Sequence, residues 1–116
     1  MIQIVMNCTK NGELVFCEAK GHSLFSVKGS DIVCSAVTSL LRTSLYVLES
    51  NDSVTVKASA TERGMLSFGV EKKSEDEKAS YLLMHSKDFL EKGLTLICEQ
   101  YPENVSLKIN FDEKWV

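Results

Sequence analysis

The sequence predicts an α+β fold: an antiparallel sheet with two helices packed on one face, in the order ββαββαβ. Three observations predict it. Apolar residues recur at helical spacing in two stretches, 31–48 and 79–101. Five shorter stretches alternate apolar with polar residues, the pattern of strands with one face buried. A length of 116 residues is enough for one core and too short for two. A sheet apolar on one side and two amphipathic helices bury each other as a two-layer sandwich. No internal repeat or low-complexity tract divides the chain, so 1–116 is read as a single domain.

The first segment, 1–20, reads as a hairpin. Asn11-Gly12 suits the positive φ angles of a two-residue type I′ turn, with Lys10 opposite Glu13. That register gathers Ile2, Ile4, Met6, Cys8, Val15, Cys17 and Ala19 on the core face. Val5, Leu14 and Phe16 fall on the other face with Gln3, Asn7, Thr9, Glu18 and Lys20. Cys8 then faces Val15 and Cys17 faces Met6, so the two cysteines are diagonal neighbours and are expected to be buried free thiols.

From Asp31 to about Leu48, Val33, Ala36, Val37, Leu40, Leu41, Leu45 and Leu48 mark the first helix, with Ser30 or Asp31 as its N-cap. Asn51-Asp52 ends that pattern. Val54, Val56, Ala58 and Ala60, then Leu66, Phe68 and Val70, form a second hairpin. A three-residue loop, Glu62-Arg63-Gly64 with Gly64 left-handed, pairs Ala58 with Phe68 and puts both apolar sets on one face; a two-residue turn would separate them. The charged run 71–78 reads as a solvated connection. Leu82, Leu83, Phe89, Leu90, Leu94, Ile97 and Tyr101 outline the second helix, with Gly93 its weak point and Pro102 its stop. Val105, Leu107, Ile109 and Phe111 alternate along the last strand.

Composition narrows the function. Thirteen basic and sixteen acidic residues give a net charge of −3, which argues against a broad phosphate-binding surface, so no direct nucleic-acid partner is expected. The apolar runs are short and Gln3 and Asn7 interrupt the N-terminus, so neither a membrane span nor a signal peptide is read and a cytoplasmic location is expected. Cys8, Cys17, Cys34 and Cys98 form no CxxC pair and have no matched histidine spacing. Neither a metal site nor a cofactor is expected. His85 reads as an exposed helix residue, Cys98 as a small core filler, and Trp115 as a terminal residue suited to fraying or a dimer contact.

The connection 21–30 is long for so small a domain. His22 stands at one end of it, and Cys34 follows in what the periodicity makes the first turn of the helix. A helix start favours a thiolate, and a nearby imidazolium adds to that effect. Cys34 and His22 therefore form a plausible nucleophile and base, with backbone N–H groups near Ser35 and the helix start available to an oxyanion. The plainer reading is that Cys34 packs beside Val33 and Val37 and that His22 lies on the surface.

The flanking residues favour the chemical reading. Gly21-His22, then Gly29, then Asp31-Ile32-Val33-Cys34-Ser35-Ala36-Val37-Thr38-Ser39-Leu40 resembles the signature of the ribosomal-processing cysteine protease family called Prp. That pattern is a GH pair, a glycine-rich loop and a G-x-D-I-V-C-A-A-V-S-x-L helix start. Chain length, element order and the Gly93-Leu94 to Tyr101-Pro102 segment also resemble the family. The resemblance implies a cysteine endopeptidase with Cys34 as nucleophile and His22 as base, and with Asp31 matching a motif acid. Ser35 stands where alanine is usual, Thr38 replaces a serine but keeps a hydroxyl one turn beyond Cys34, and Ser23 replaces an alanine after the GH pair. The implied substrate is the N-terminal extension of a bacterial large-subunit ribosomal protein, and the implied assembly is a homodimer. Gly21, Ser23 and Gly29 belong to a substrate loop whose two glycines would act as hinges. A non-catalytic ribosome-associated module using Val5, Leu14 and Phe16 as a partner patch is the alternative, and an acyl-transfer thiol enzyme is a third.

Overall fold

The computed structural model describes residues 1–21, 28–59 and 65–111, and for residues 28–31 the backbone alone. The elements are β1 (Ile2–Cys8), β2 (Leu14–Lys20), α1 (Lys28–Glu49), β3 (Val54–Ser59), β4 (Met65–Lys72), α2 (Glu77–Gln100) and β5 (Val105–Phe111). They form one five-stranded sheet in the order β3-β4-β2-β1-β5. Three of its four pairings are antiparallel, but β1 and β5 run parallel. The expectation of an antiparallel sheet is corrected at that edge. The 24-residue α2 carries the chain back along the sheet, so β5 runs in the direction of β4 and therefore of β1. Alternation along a strand carries no information about its direction.

The first hairpin turns differently from the sequence reading. Gly12 N–H donates to Thr9 O and Thr9 N–H to Glu13 O, each at 2.9 Å, which closes a three-residue loop over Lys10-Asn11-Gly12. Gly12 has φ +88°, and no described non-glycine residue has positive φ. A type I′ turn would force Asn11 into the left-handed region as well, whereas the three-residue loop needs only Gly12 there. Next to the loop the register is one residue shorter, with Cys8 opposite Leu14, and a bulge at Val15 restores the predicted pairing from Asn7 opposite Phe16 to Gln3 opposite Lys20. The bulge exchanges two faces: Leu14 is buried in the core and Val15 is moved to its margin. Thr9, expected on the outer face, is buried with its Oγ1 accepting the Glu13 N–H.

The second hairpin follows its expected register, with Ala58 opposite Phe68 and Ser59 opposite Ser67. Residues 60–64, Gly64 included, lie outside the described residues, as does Trp115. Ile2, Ile4, Met6, Cys17, Phe68, Val70 and Val105 from the strands meet Val33, Val37, Leu41, Leu45 and Leu48 of α1 and Ala79, Leu83, Leu90 and Leu94 of α2 in one core. The segment Ile32–Glu49, with mean hydropathy 1.3, is long and apolar enough by composition to cross a membrane. Its apolar stripe is instead the helical half of this core. Serines and threonines supply most of its polar side, which hid that apolarity from a search for unbroken runs.

Asp76 caps α2, accepting the Ala79 N–H at 2.7 Å, and Tyr101 closes the other end through its N–H to Ile97 O at 2.9 Å. The Ala79 N–H, aided by the Ser74 hydroxyl, holds the Asp76 carboxyl below its ordinary value. Gly93 lies where the helices meet: a β-carbon there would stand 2.6 Å from Leu40 Cδ2 and 3.2 Å from Cδ1. The weak point in the α2 pattern is thus a point where α1 packs closely on α2.

Two predictions follow from the helix packing. Gly93→Ala should destabilise the protein by about 1–3 kcal/mol through overpacking, despite alanine's better helix propensity. On a Leu40→Ala background the same substitution should be neutral or stabilising, and urea unfolding of the four chains checks the change of sign. Asp76→Ala should lower the melting temperature at pH 7. Because the folded pKa is depressed, the cap's contribution is present above the unfolded pKa and is lost as pH falls through the folded one. The difference from the parent should therefore close below about pH 4.

Candidate functional site

The register places several terminal elements at one end of the sheet. Lys20, the last residue of β2, lies opposite Gln3 and Met65, so Met1 and Gly21 stand at that end. Val105 opens β5 opposite Ile2, which brings the Tyr101–Asn104 turn to the same end. β3 begins opposite Lys72, at the far end, so α1 starts near Gly21 and runs away from it. Ser59 and Met65, the described residues on either side of 60–64, stand at this end as well.

α1 begins at Lys28, three residues before the expected start at Asp31. Ser30 and Asp31 are its third and fourth residues and not its caps; no proline between 21 and 31 stops the helix from extending toward its N-terminus. Gly29 is the second helical residue, so it is not a loop hinge. Cys34 is the seventh, roughly 9 Å along the axis at 1.5 Å per residue. Helix-end electrostatics fade within the first turn, and Cys34 lies beyond that turn, deeper in the helix than the sequence suggested. The Ser35 amide is inside the helix and committed to its i−4 carbonyl, which removes it as an oxyanion donor. The Ser35 and Thr38 side chains are exposed. His22 and Ser23 lie outside the described residues, as does the side chain of Asp31.

The four cysteines are free thiols in unequal settings. Cys8 and Cys17 are 0% and 1% exposed. Burial pushes Cys8 up to about 11, against an opposing pull from the Lys87 charge. Burial, with the Cys8 thiol and Glu18 adding to it, pushes Cys17 up to about 12. Cys98 is half-buried, and burial raises it too. Cys34 is half-buried, its side chain packed against the edge of the core, next to the exposed Ser35. Among the described residues no three His, Cys, Asp or Glu side chains converge as metal ligands.

One charged cluster was not anticipated. Lys72, read as part of a solvated run, is half-buried; its Nζ lies 3.1 Å from Glu13 Oε1 and 3.2 Å from Glu75 Oε2, and donates to Ser80 Oγ at 3.3 Å. Desolvation alone would lower its pKa, but the bonds and charges of Glu13 and Glu75 outweigh that and raise it. It borders a cavity of about 510 Å³ between the start of β2 and the end of β4, where the Val15 bulge parts the two strands. This cavity is at the opposite end of β2 from Gly21. Its ion pair ties the hairpin tip to β4 and the start of α2. Sequence spacing signals only the Lys72–Glu75 half of that cluster.

Fold and thiols together define a two-layer α+β domain with a half-buried helix cysteine near the sheet end that carries the long connection. The sequence model of the cysteine protease Prp matches residues 1–106, and the chain belongs to that family. Among solved structures, SMU.848 from Streptococcus mutans is 30% identical, with a TM-score of 0.73, covering 97% of this chain and 96% of its own. The essential ribosomal processing protease Prp from S. aureus shares the fold. Its complex with a covalently linked product peptide gives 21% identity and a TM-score of 0.74, and its complex with a substrate peptide 20% and 0.75. Each covers 95% of this chain and all of the S. aureus chain. No curated protein sequence matches the chain.

Iodoacetamide at pH 8 should modify Cys34 first, Cys98 more slowly and Cys8 and Cys17 only on unfolding, as read by peptide mass mapping. Equal labelling of all four in the folded protein would contradict this ordering.

Proposed function

We propose that the chain is a cysteine endopeptidase that removes a short N-terminal extension from a bacterial large-subunit ribosomal protein, with His22 and Cys34 as its catalytic pair. The observation that carries the reading is the half-buried Cys34, set in the motif 31–40 within the stretch that matches the protease family, while Cys8 and Cys17 are sealed in the core. His22 takes the thiol proton, and Cys34 attacks the scissile carbonyl to form an acyl-enzyme. His22 then donates the proton to the leaving amine and activates the water that releases the acid. With the helix end too distant to help, activation of the thiol falls to His22. Asp31, Ser35 and Thr38 are assigned supporting roles around that pair, and Gly21 and Ser23 the substrate connection. The peptide complexes of the S. aureus protease support a peptide substrate here.

The same proposal places the enzyme in the cytoplasm as a homodimer acting on protein rather than on nucleic acid or membrane. Ile32, Tyr46 and Val47 of α1 and Phe89 and Leu96 of α2 are exposed apolar side chains on the helix layer, the surface that supports self-association. The patch expected on the first hairpin is weaker than the sequence suggested, because Leu14 is in the core and only Val5 and Phe16 remain on the outer face, both half-buried. That loss also weakens the non-catalytic binding-module reading.

Cys34→Ala and His22→Ala should each abolish cleavage of an extension peptide while leaving the circular dichroism spectrum and dimer mass by light scattering unchanged. Wild-type cleavage by Cys34→Ala would remove the nucleophile assignment.

A further inference from the structure

Two described glycines have positive φ, and they differ in their surroundings. Gly12, at φ +88°, has open space where a β-carbon would lie. Gly21, at φ +101°, does not: a β-carbon would overlap the Met1 carbonyl oxygen and stand 3.3 Å from Met1 C and 3.5 Å from Ile2 Cα. These are backbone atoms, and they are held in place. Ile2 N–H donates to Asn104 O at 2.8 Å, and the N–H groups of Asn104 and Val105 donate to Tyr101 O at 3.0 and 3.2 Å. The backbone of residue 21 is thus pressed onto a strand end that is itself bonded to the turn after α2. A hinge would need room on both sides, and Gly21 has none on this one.

We infer that Gly21 is a positioning residue for His22, a fixed corner seated on the Met1 carbonyl that sets the direction in which the chain leaves β2 toward the next residue. The inference rests on the catalytic role proposed for His22. Glycine is required at Gly21 twice over, for left-handed φ and for close approach, whereas at Gly12 it is required for φ alone.

The test compares Gly21→Ala, Gly12→Ala and a chain beginning at Ile2, released from a cleavable tag, in single-turnover cleavage of an extension peptide. Gly12→Ala should lose stability and keep its cleavage rate per folded molecule. Gly21→Ala should lose about 100-fold in kcat with KM little changed, the scale of a misplacement of about 1 Å. Free imidazole should recover part of that loss, as it should for His22→Ala, and Gly21→Ala should add nothing on a His22→Ala background. Where Gly21→Ala fails to fold, the chain lacking Met1 decides: it should fold and lose about tenfold in kcat, again with partial recovery by imidazole. Unchanged cleavage without Met1, a loss that imidazole does not relieve, or a loss that multiplies with that of His22→Ala would overturn the inference. Wild-type cleavage by His22→Ala would overturn both this inference and the catalytic reading, whereas its loss of cleavage beside an unaffected Gly21→Ala would overturn this one alone.

Discussion

The phase of the β1–β2 pairing is the constraint on which the rest of the molecule depends. Side chains alternate across a strand with a period of two, so a slip of one residue would turn Ile2, Ile4, Met6 and Cys8 out of the core together. The chain holds the phase through two compensating irregularities: a three-residue loop shortens the register by one and the Val15 bulge restores it. β1 then serves β5 and β2 serves β4 with their apolar faces aligned, and both helices find one continuous surface to cover. Gly21 is where this pairing ends, so the same register decides where the long connection begins.

Burial divides the thiols by chemistry. Two of them point into the sheet's apolar face, where desolvation keeps the proton on sulfur and the side chain behaves as a small hydrophobe. Cys34 lies on the flank of α1, between the buried stripe and the exposed serines, and so combines a packed side chain with an approach from outside. The early start of α1 has a further effect: a cysteine near a helix N-terminus would be partly activated by the helix itself, and this one is too deep in the helix for that.

Much of the fold was legible because its signals are local. The helical spacing of Val33, Val37, Leu41, Leu45 and Leu48 and the alternation of Val105, Leu107 and Ile109 each identify one element. The register of the second hairpin followed from requiring Ala58 and Phe68 to share a face. What was not legible depends on competition between local solutions. Asn11-Gly12 satisfies two turn types equally well in sequence, and the choice between them moved Leu14 into the core. The direction of β5 is set by how far α2 travels, and the start of α1 by residues 28–30 that carry no stop signal. Lys72 is paired with Glu13, 59 positions away in the chain, a partner that local spacing does not signal. For the site, the motif nominates Cys34 and His22, but the depth of Cys34 in its helix was not legible, because the helical pattern was read only from Asp31.

The parallel pairing of β1 with β5 has a consequence for the order in which the protein is made. Ile2 bonds to Asn104 and lies opposite Val105, so β1 is completed by β5, the described strand made last. At a synthesis rate of about 5–20 residues per second, β1 waits roughly 5–20 seconds with one edge unsatisfied. The hairpin, α1 and the β3–β4 pair can assemble in that interval from nearer contacts. The seat beneath Gly21 cannot, since Met1 and Ile2 are anchored by the turn that precedes β5. The end of the sheet next to the candidate site is therefore completed only once β5 has been made, after every other described element.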